Sequence, residues 1–148
     1  MVPLLEREWG AVDVVALSLG GVLDASRLPG WLAVAEPGGE VVGLLTYRTG
    51  GDVVDIVTIN AFTGGGVGAA LLGALVEEFR GTASRLRVTT TNDNTRALRF
   101  YQRAGFRLTA LRPGAVEESR RIKPRIPELG NDDIPIRDEL ELEMDLSR

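Results

Sequence analysis

Cysteine and histidine are both absent from the 148-residue sequence. Without cysteine there is no disulfide, no thiolate zinc site and no thiol nucleophile. Without histidine, Ser-His-Asp hydrolysis, imidazole-bound metals and imidazole acid-base catalysis are excluded as well. No metal is expected, since the pair Asp132-Asp133 lacks the spacing of a calcium loop. Proton transfer is left to carboxylates, tyrosine, lysine, backbone or water, and lysine is nearly missing too: Lys123 stands against sixteen arginines. Long apolar runs are lacking. Residues 11–23 are interrupted by Asp13 and by Gly20-Gly21 and are too short to span a bilayer, so no membrane partner is expected. The first nine residues contain Glu6 and Glu8 and form no basic leader, which reads as a cytoplasmic chain.

What is present is a globular composition, 44% hydrophobic and 26% charged, of a length that suits one domain over residues 1–148. The net charge of −4 argues against nucleic acid as a partner, but the charge is unevenly placed. Residues 85–125 hold eleven bases and three acids, whereas the segments on either side are each at −6. A basic middle in an acidic chain suits a local anionic ligand or a solvated face.

Residues 3–9 read as a short helix opened by Pro3, residues 11–17 as a strand and residues 20–30 as a loop. Three strands follow at 31–35, 41–48 and 53–59, turned by Pro37-Gly38-Gly39 and Gly50-Gly51. Residues 69–79 read as a helix with Leu71, Leu75 and Phe79 on one face, 86–91 as a strand, 95–104 as a second helix and 106–111 as a strand. Residues 112–138, with four prolines and no sustained period, read as a long loop. Residues 139–146 alternate strictly, giving a strand with Leu140, Leu142, Met144 and Leu146 inward and a solvated acidic face outward. The order predicts an α/β chain, an α+β mixed sheet flanked by helices. The alternating strands could pair across a homodimer, although nothing in the sequence demands it.

Two segments carry chemistry. After the strand at 53–59, the glycines of Thr63-Gly64-Gly65-Gly66-Val67-Gly68-Ala69 leave N–H groups uncovered at a helix N-terminus, a place that suits a pyrophosphate. The other reading is a plain strand-to-helix turn. There is no Gly-Lys-Ser/Thr for a triphosphate loop. The match of Gly64-x-Gly66-x-x-Ala69 to a dinucleotide fingerprint is loose, because residues 86–91 offer no acid for a ribose. Asp55 is the lone charge in an apolar strand, expected on one face with Val53, Val57 and Ile59, either as a proton acceptor toward a cleft or as a paired structural residue.

In the second segment the spacing Asn94-x-x-Ala97-x-x-Phe100-Tyr101-x-x-x-Gly105-Phe106, placed after strand, glycine loop and helix, resembles the signature of the GNAT N-acetyltransferase superfamily. The matching stretch covers about residues 41–111. The resemblance implies a GNAT-like fold with a central, mostly antiparallel sheet and flanking helices. It implies an N-acetyltransferase that uses acetyl-CoA as co-substrate and a primary amine of a small molecule or peptide as acceptor. By the same resemblance, the loop Gly64, Gly65, Gly66, Val67, Gly68 and Ala69 would bind the coenzyme A pyrophosphate, and Ile59, Asn60 and Ala61 the pantetheine arm. Asn94 would contact the cofactor, and Tyr101 would protonate the leaving thiolate. Thr63 departs from the Gln/Arg of the family's loop.

A phenol, with a reference pKa near 10, stays protonated at neutral pH and suits that task. The alternatives are a core aromatic for Tyr101 and an N-cap for Asn94. Glu117, Glu118, Glu141 and Glu143 are lesser candidates for drawing in a cationic amine, and one of Arg96, Arg99 and Arg103 could meet the coenzyme's 3′-phosphate. A catalytically silent acyl-CoA-binding sensor is the second reading, and a nucleotide-dependent oxidoreductase the third.

Overall fold

The computed structural model describes residues 13–16, 21–24, 29–34, 41–61 and 66–147. The helix expected at residues 3–9, the turn at Pro37-Gly38-Gly39 and loop residues Thr63, Gly64 and Gly65 lie outside them. Two short strands, β1 (Asp13–Ala16) and β2 (Gly21–Asp24), pair antiparallel, with Val15 opposite Val22. The loop expected at 20–30 is therefore partly a strand, in which Val22 and Leu23 pair with Val15 and Val14.

A six-stranded sheet runs in the order β3 (Gly30–Val34), β4 (Val41–Gly50), β5 (Val53–Ala61), β6 (Arg85–Thr91), β8 (Glu139–Asp145), β7 (Arg107–Arg112). Every neighbouring pair is antiparallel except β5–β6, so the expected mixed, mostly antiparallel sheet is what forms. The parallel step is forced by the crossover helix α1 (Val67–Phe79), which carries the chain back from the end of β5 to the start of β6. Helix α2 (Thr95–Ala104) links β6 to β7. Leu71, Leu72 and Leu75 of α1 pack with Leu45, Val54, Ile56, Leu86, Val88 and Leu142 of the sheet and with Tyr101 and Phe106. Gly43 on β4 lies close under α1: a Cβ there would stand 2.6 Å from Val67 Cγ1 and 3.0 Å from Leu71 Cδ1, so any larger residue would push those side chains aside.

Residues 112–138 are not a plain loop. Helix α3 (Ala115–Ile122) buries Ala115, Val116 and Ser119, with Glu117 and Glu118 in its first turn and Arg120 and Arg121 in its last. That charge order follows the helix dipole, but two turns are too short for a period to show among so many charges. The acidic face of β8 also differs from expectation. Because β8 lies between β6 and β7, Glu139 is buried and Glu141 largely so, each facing arginines across the strand pair. No helix among the described residues is long and apolar enough to cross a membrane.

Candidate active site

The site begins with a fork in the sheet. β5 and β6 pair in parallel only from Val53 opposite Arg85 to Ile56 opposite Val88. β5 then stays with β4 to Ala61, while β6 stays with β8 to Thr91, so the two strands separate. The separation coincides with a bulge. Thr46 pairs with Thr58 but Tyr47 with Ile56, which leaves Val57 as the extra residue, and a bulge bends and twists its strand. The extra residue also reverses the alternation. Ile59, opposite Leu45, joins the helix-covered side with Ile56, and Thr58 moves to the side of Asp55, where its hydroxyl meets that of Thr46 at 2.7 Å. The single face expected for Val53, Asp55, Val57 and Ile59 is thus broken at Val57.

Between the strands lies a cleft of about 400 Å³, lined by Ile56 to Asn60 on one side and Val88 to Thr90 on the other. Gly68 of α1 and Asn94, Arg96, Ala97, Phe100 and Tyr101 at α2 complete it. Ile59, Asn60, Gly68, Asn94 and Tyr101, from three separate sequence segments, therefore share one wall system, and none of the described residues lining it is acidic. Ala61 ends β5, and Ala69 lines an adjoining cavity. Gly66 caps α1 in the left-handed region at φ 84°, with no side-chain cap and no acid in the first turn. The N–H groups of that turn, Val67 included, keep their partial positive charge uncompensated, which suits an anion.

Asn94 caps α2, its Oδ1 accepting from the Ala97 N–H at 3.2 Å, and it also lines the cleft. Tyr101 is 4% exposed, wedged edge-on against Phe100 and Phe106 with ring centroids 5.3 Å away in both cases. Burial pushes its hydroxyl well above the ordinary tyrosine pKa, so the group is a proton donor throughout the physiological range.

Asp55 is placed differently. It is 2% exposed, does not line the cleft, and accepts from Arg87 Nε at 2.5 Å and Nη2 at 3.0 Å. That pair holds the last rungs below the fork, and the hydrogen bond to Asp55 raises the Arg87 guanidinium further. Glu141 continues the row: it accepts from Arg112 Nη2 at 2.5 Å and stands 4.0 Å from Arg87 Nε. Glu143 reaches Arg85 at 3.7 Å. Glu117 and Glu118 pair with Arg120 and Arg121 on α3.

The sequence reads Asn92 and Asp93 only as part of a turn or cap, and Arg120 only as a possible contact for coenzyme phosphates or an acidic acceptor. Asn92 donates to the Pro135 carbonyl at 2.9 Å and accepts from the N–H groups of Arg137 and Asp138. Asp93 accepts from the Asn131 N–H at 3.1 Å, and Arg120 donates to the carbonyls of Pro127 and Ile136 at 2.7 and 2.8 Å. One turn thus carries a cleft residue, Asn94, and two residues that fasten the strap at 126–138. The run Asn92-Asp93-Asn94 was the available signal, since three such residues exceed what one cap needs.

Comparison with known proteins agrees with this geometry. Residues 7–106 match the profile of the acetyltransferase (GNAT) family. The uncharacterised Bacillus subtilis (strain 168) protein YdhI is 37% identical over 136 residues, which are 90% of this chain and 83% of that one. Among solved structures, the IAA acetyltransferase from Bacillus cereus ATCC 14579 is 30% identical with a TM-score of 0.63, covering 76% of this chain and 75% of its own. A GNAT acetyltransferase from Elizabethkingia anophelis with acetyl-CoA bound is 25% identical with a TM-score of 0.64, covering 78% and 76%. A forked sheet beside an uncapped, glycine-led helix, joined to a profile match over two thirds of the length, places the chain in the GNAT acetyltransferase family.

Proposed function

We propose that the protein transfers an acetyl group from acetyl-CoA to a primary amine of a small molecule or peptide. The observation that carries this reading is the cleft itself, with an anion-attracting helix start at one end and a buried, protonated phenol in its wall. Acetyl-CoA supplies the activated acyl thioester. The first turn of α1 binds the pyrophosphate through its N–H groups, and β5 at Ile59, Asn60 and Ala61, past the end of its pairing with β6, holds the pantetheine arm. Asn94 keeps its cap with Oδ1 and turns Nδ2 toward the coenzyme. Tyr101 gives its proton to the departing sulfur, a role matched to a hydroxyl that burial keeps protonated.

Asp55 is the other catalytic candidate. Both of its oxygens accept hydrogen bonds from Arg87, and it is buried and outside the cleft lining, so an amine in the cleft does not meet it directly. This placement supports a positioning role, in which the pair fixes where the fork opens, and leaves the amine proton to water in the cleft. The absence of an acidic group among the described lining residues is also what favours the second reading, a silent acyl-CoA-binding sensor.

Calorimetric titration with acetyl-CoA, followed by intact-mass detection of acetylated products from an amine panel, tests both. Binding with turnover supports the enzyme, and binding without turnover across the panel supports the sensor. A folded Gly68→Trp variant with undiminished acetyl-CoA affinity would remove the pyrophosphate from this helix start.

A further inference from the structure

Asn92, Asp93 and Asn94 form one closely bonded turn between β6 and α2. The Asn94 N–H donates to the Thr91 carbonyl at 3.1 Å and the Thr95 N–H to the Asp93 carbonyl at 2.9 Å. Thr91 Oγ1 donates to Asp93 Oδ1, and the Ala97 N–H closes on Asn94 Oδ1. Thr90, just before the turn, and Asn94, within it, line the cleft. Asn92 and Asp93 reach the strap instead. The Asn92 amide meets three backbone groups of the strap, the Pro135 carbonyl and the N–H groups of Arg137 and Asp138, all within 3.0 Å. It uses both its donor and its acceptor end, as a further rung of the sheet would.

The strap is held by polar contacts rather than by packing. Of residues 126–138 only Ile136 is buried, so apolar burial does little to keep the segment in place. Its tip is strained, since Asp132 and Asp133 both lie in the left-handed region, at φ 56° and 59°. Beside the tip, Gly130 lies directly against the turn, where a Cβ would run into Asp93 Oδ2. The fastenings at Arg120, at the Val116 N–H and at the turn offset this strain. Docking of the strap is thus a local equilibrium, and whatever fixes the turn biases it.

We infer that Asn92 is a positioning residue that couples cleft and strap: a coenzyme bound at Asn94 favours the docked strap, and the docked strap strengthens coenzyme binding. This rests on the acetyl-CoA reading of the cleft, in which Asn94 Nδ2 turns to the coenzyme while Oδ1 keeps the cap. The coenzyme contact fixes the turn in the conformation that the Asn92 amide and the Asp93 carboxylate need in order to hold the strap. With the strap undocked the turn is looser, and the coenzyme must order it at a cost in affinity. Such coupling is reciprocal: the factor by which the coenzyme steadies the strap is the factor by which the docked strap tightens the coenzyme. No residue of the strap lines the cleft, so the effect passes through the turn and not through direct contact.

The test is amide hydrogen exchange on the full chain and on Asn92→Ala, with and without saturating coenzyme A, together with calorimetric titration of coenzyme A. In the unaltered protein coenzyme A should slow exchange at residues 130–138 at least ~5-fold, the low end of coupling between sites. In Asn92→Ala those amides should exchange faster, and coenzyme A should slow them by less than about twofold. Affinity for coenzyme A should fall in that variant by up to the same ~5-fold. Gly130→Ala, which presses on Asp93 from the strap and leaves β6 and the turn unaltered, should repeat the result, and it serves alone if Asn92→Ala does not fold. Coenzyme A that binds yet leaves strap exchange unchanged, the behaviour of a merely structural strap, overturns the coupling and leaves the cleft reading standing. Equal slowing in the unaltered protein and the variants overturns the role of Asn92. Failure of coenzyme A to bind the unaltered protein overturns the cleft reading and the coupling together.

Discussion

On the face of the sheet covered by α1 and α2, the buried side chains among the described residues are leucine, valine, isoleucine and aromatics, and Tyr101, the fully buried ionisable group described there, is held neutral. On the opposite face, Asp55, Glu139 and Glu141 are buried beside Arg87 and Arg112, and charge is kept inside by pairing it. Both solutions avoid an isolated buried charge, which would cost several kcal/mol. They differ in what they leave available. A neutral phenol at a cleft wall can still give up its proton to a ligand, whereas Asp55, buried, gripped at both oxygens by a guanidinium and away from the cleft lining, is not presented to one. The helix-covered side is therefore suited to chemistry, and the charged side to fixing the strands that open the fork.

This contrast can be broken most forcefully at Asp55. Asp55→Ala leaves Arg87 without its main partner in a largely buried row and should cost on the order of 3 kcal/mol of stability, read by urea unfolding. Asp55→Asn, which retains one acceptor, should fold more stably than Asp55→Ala and keep most of the turnover; loss of turnover with acetyl-CoA affinity intact would return Asp55 to the chemistry.

Tyr101→Phe is the converse. It should reduce turnover by roughly 10²-fold while acetyl-CoA affinity and stability change little, because only a hydroxyl is removed. Full turnover in this variant would leave Tyr101 as packing and pass the acid role to water.

Smaller effects sharpen the picture at the turn shared by cleft and strap. Asp93→Ala frees the Asn131 N–H from its acceptor and should destabilise by about 1–3 kcal/mol. Amide hydrogen exchange should rise at residues 130–138 before it rises in the sheet. Uniform loosening would mean that the strap is held mainly by Arg120. Asn94→Ala removes a helix cap worth about 1 kcal/mol and, on the proposed reading, one coenzyme contact as well. Asn94→Asp should restore the cap but not the contact, so stability and acetyl-CoA affinity should part company in that variant.

The smallest signal is alkaline. In the unfolded chain Tyr101 ionises near pH 10, while in the folded chain its pKa is raised. Above about pH 10 the unfolded state therefore binds fewer protons, and stability falls with rising pH until the folded-state pKa is passed. Tyr101→Phe should flatten that part of the curve relative to the unaltered protein.

The site was legible where local chemistry fixes local conformation. Asn94 before an apolar-faced helix and Gly66 before α1 state their conformations in their own residues, and the meander of β3, β4 and β5 follows from apolar runs separated by turn residues. Arg87 was harder to see, although Arg85-Leu86-Arg87-Val88 alternates charged and apolar residues on a strand, because a solvated face gives the same pattern. Helix α3 escaped because its two turns bury only Ala115, Val116 and Ser119 among many charged residues.

The sequence by itself determined the strands from β3 onward, helices α1 and α2 and the order in which they occur, the lack of thiol and imidazole chemistry, and the pairing of a glycine-led helix with a tyrosine-bearing one. Those follow from side-chain shape, backbone freedom and period, which act over a few residues. Only the tertiary structure decided that Val57 is an extra residue, that Ile59 rather than Thr58 faces the helices, and that the acids of β8 meet arginines instead of water. A bulge exists only relative to the strand it pairs with. A carboxylate's partner depends on which strands become neighbours, and β8 joins β6 across some fifty intervening residues.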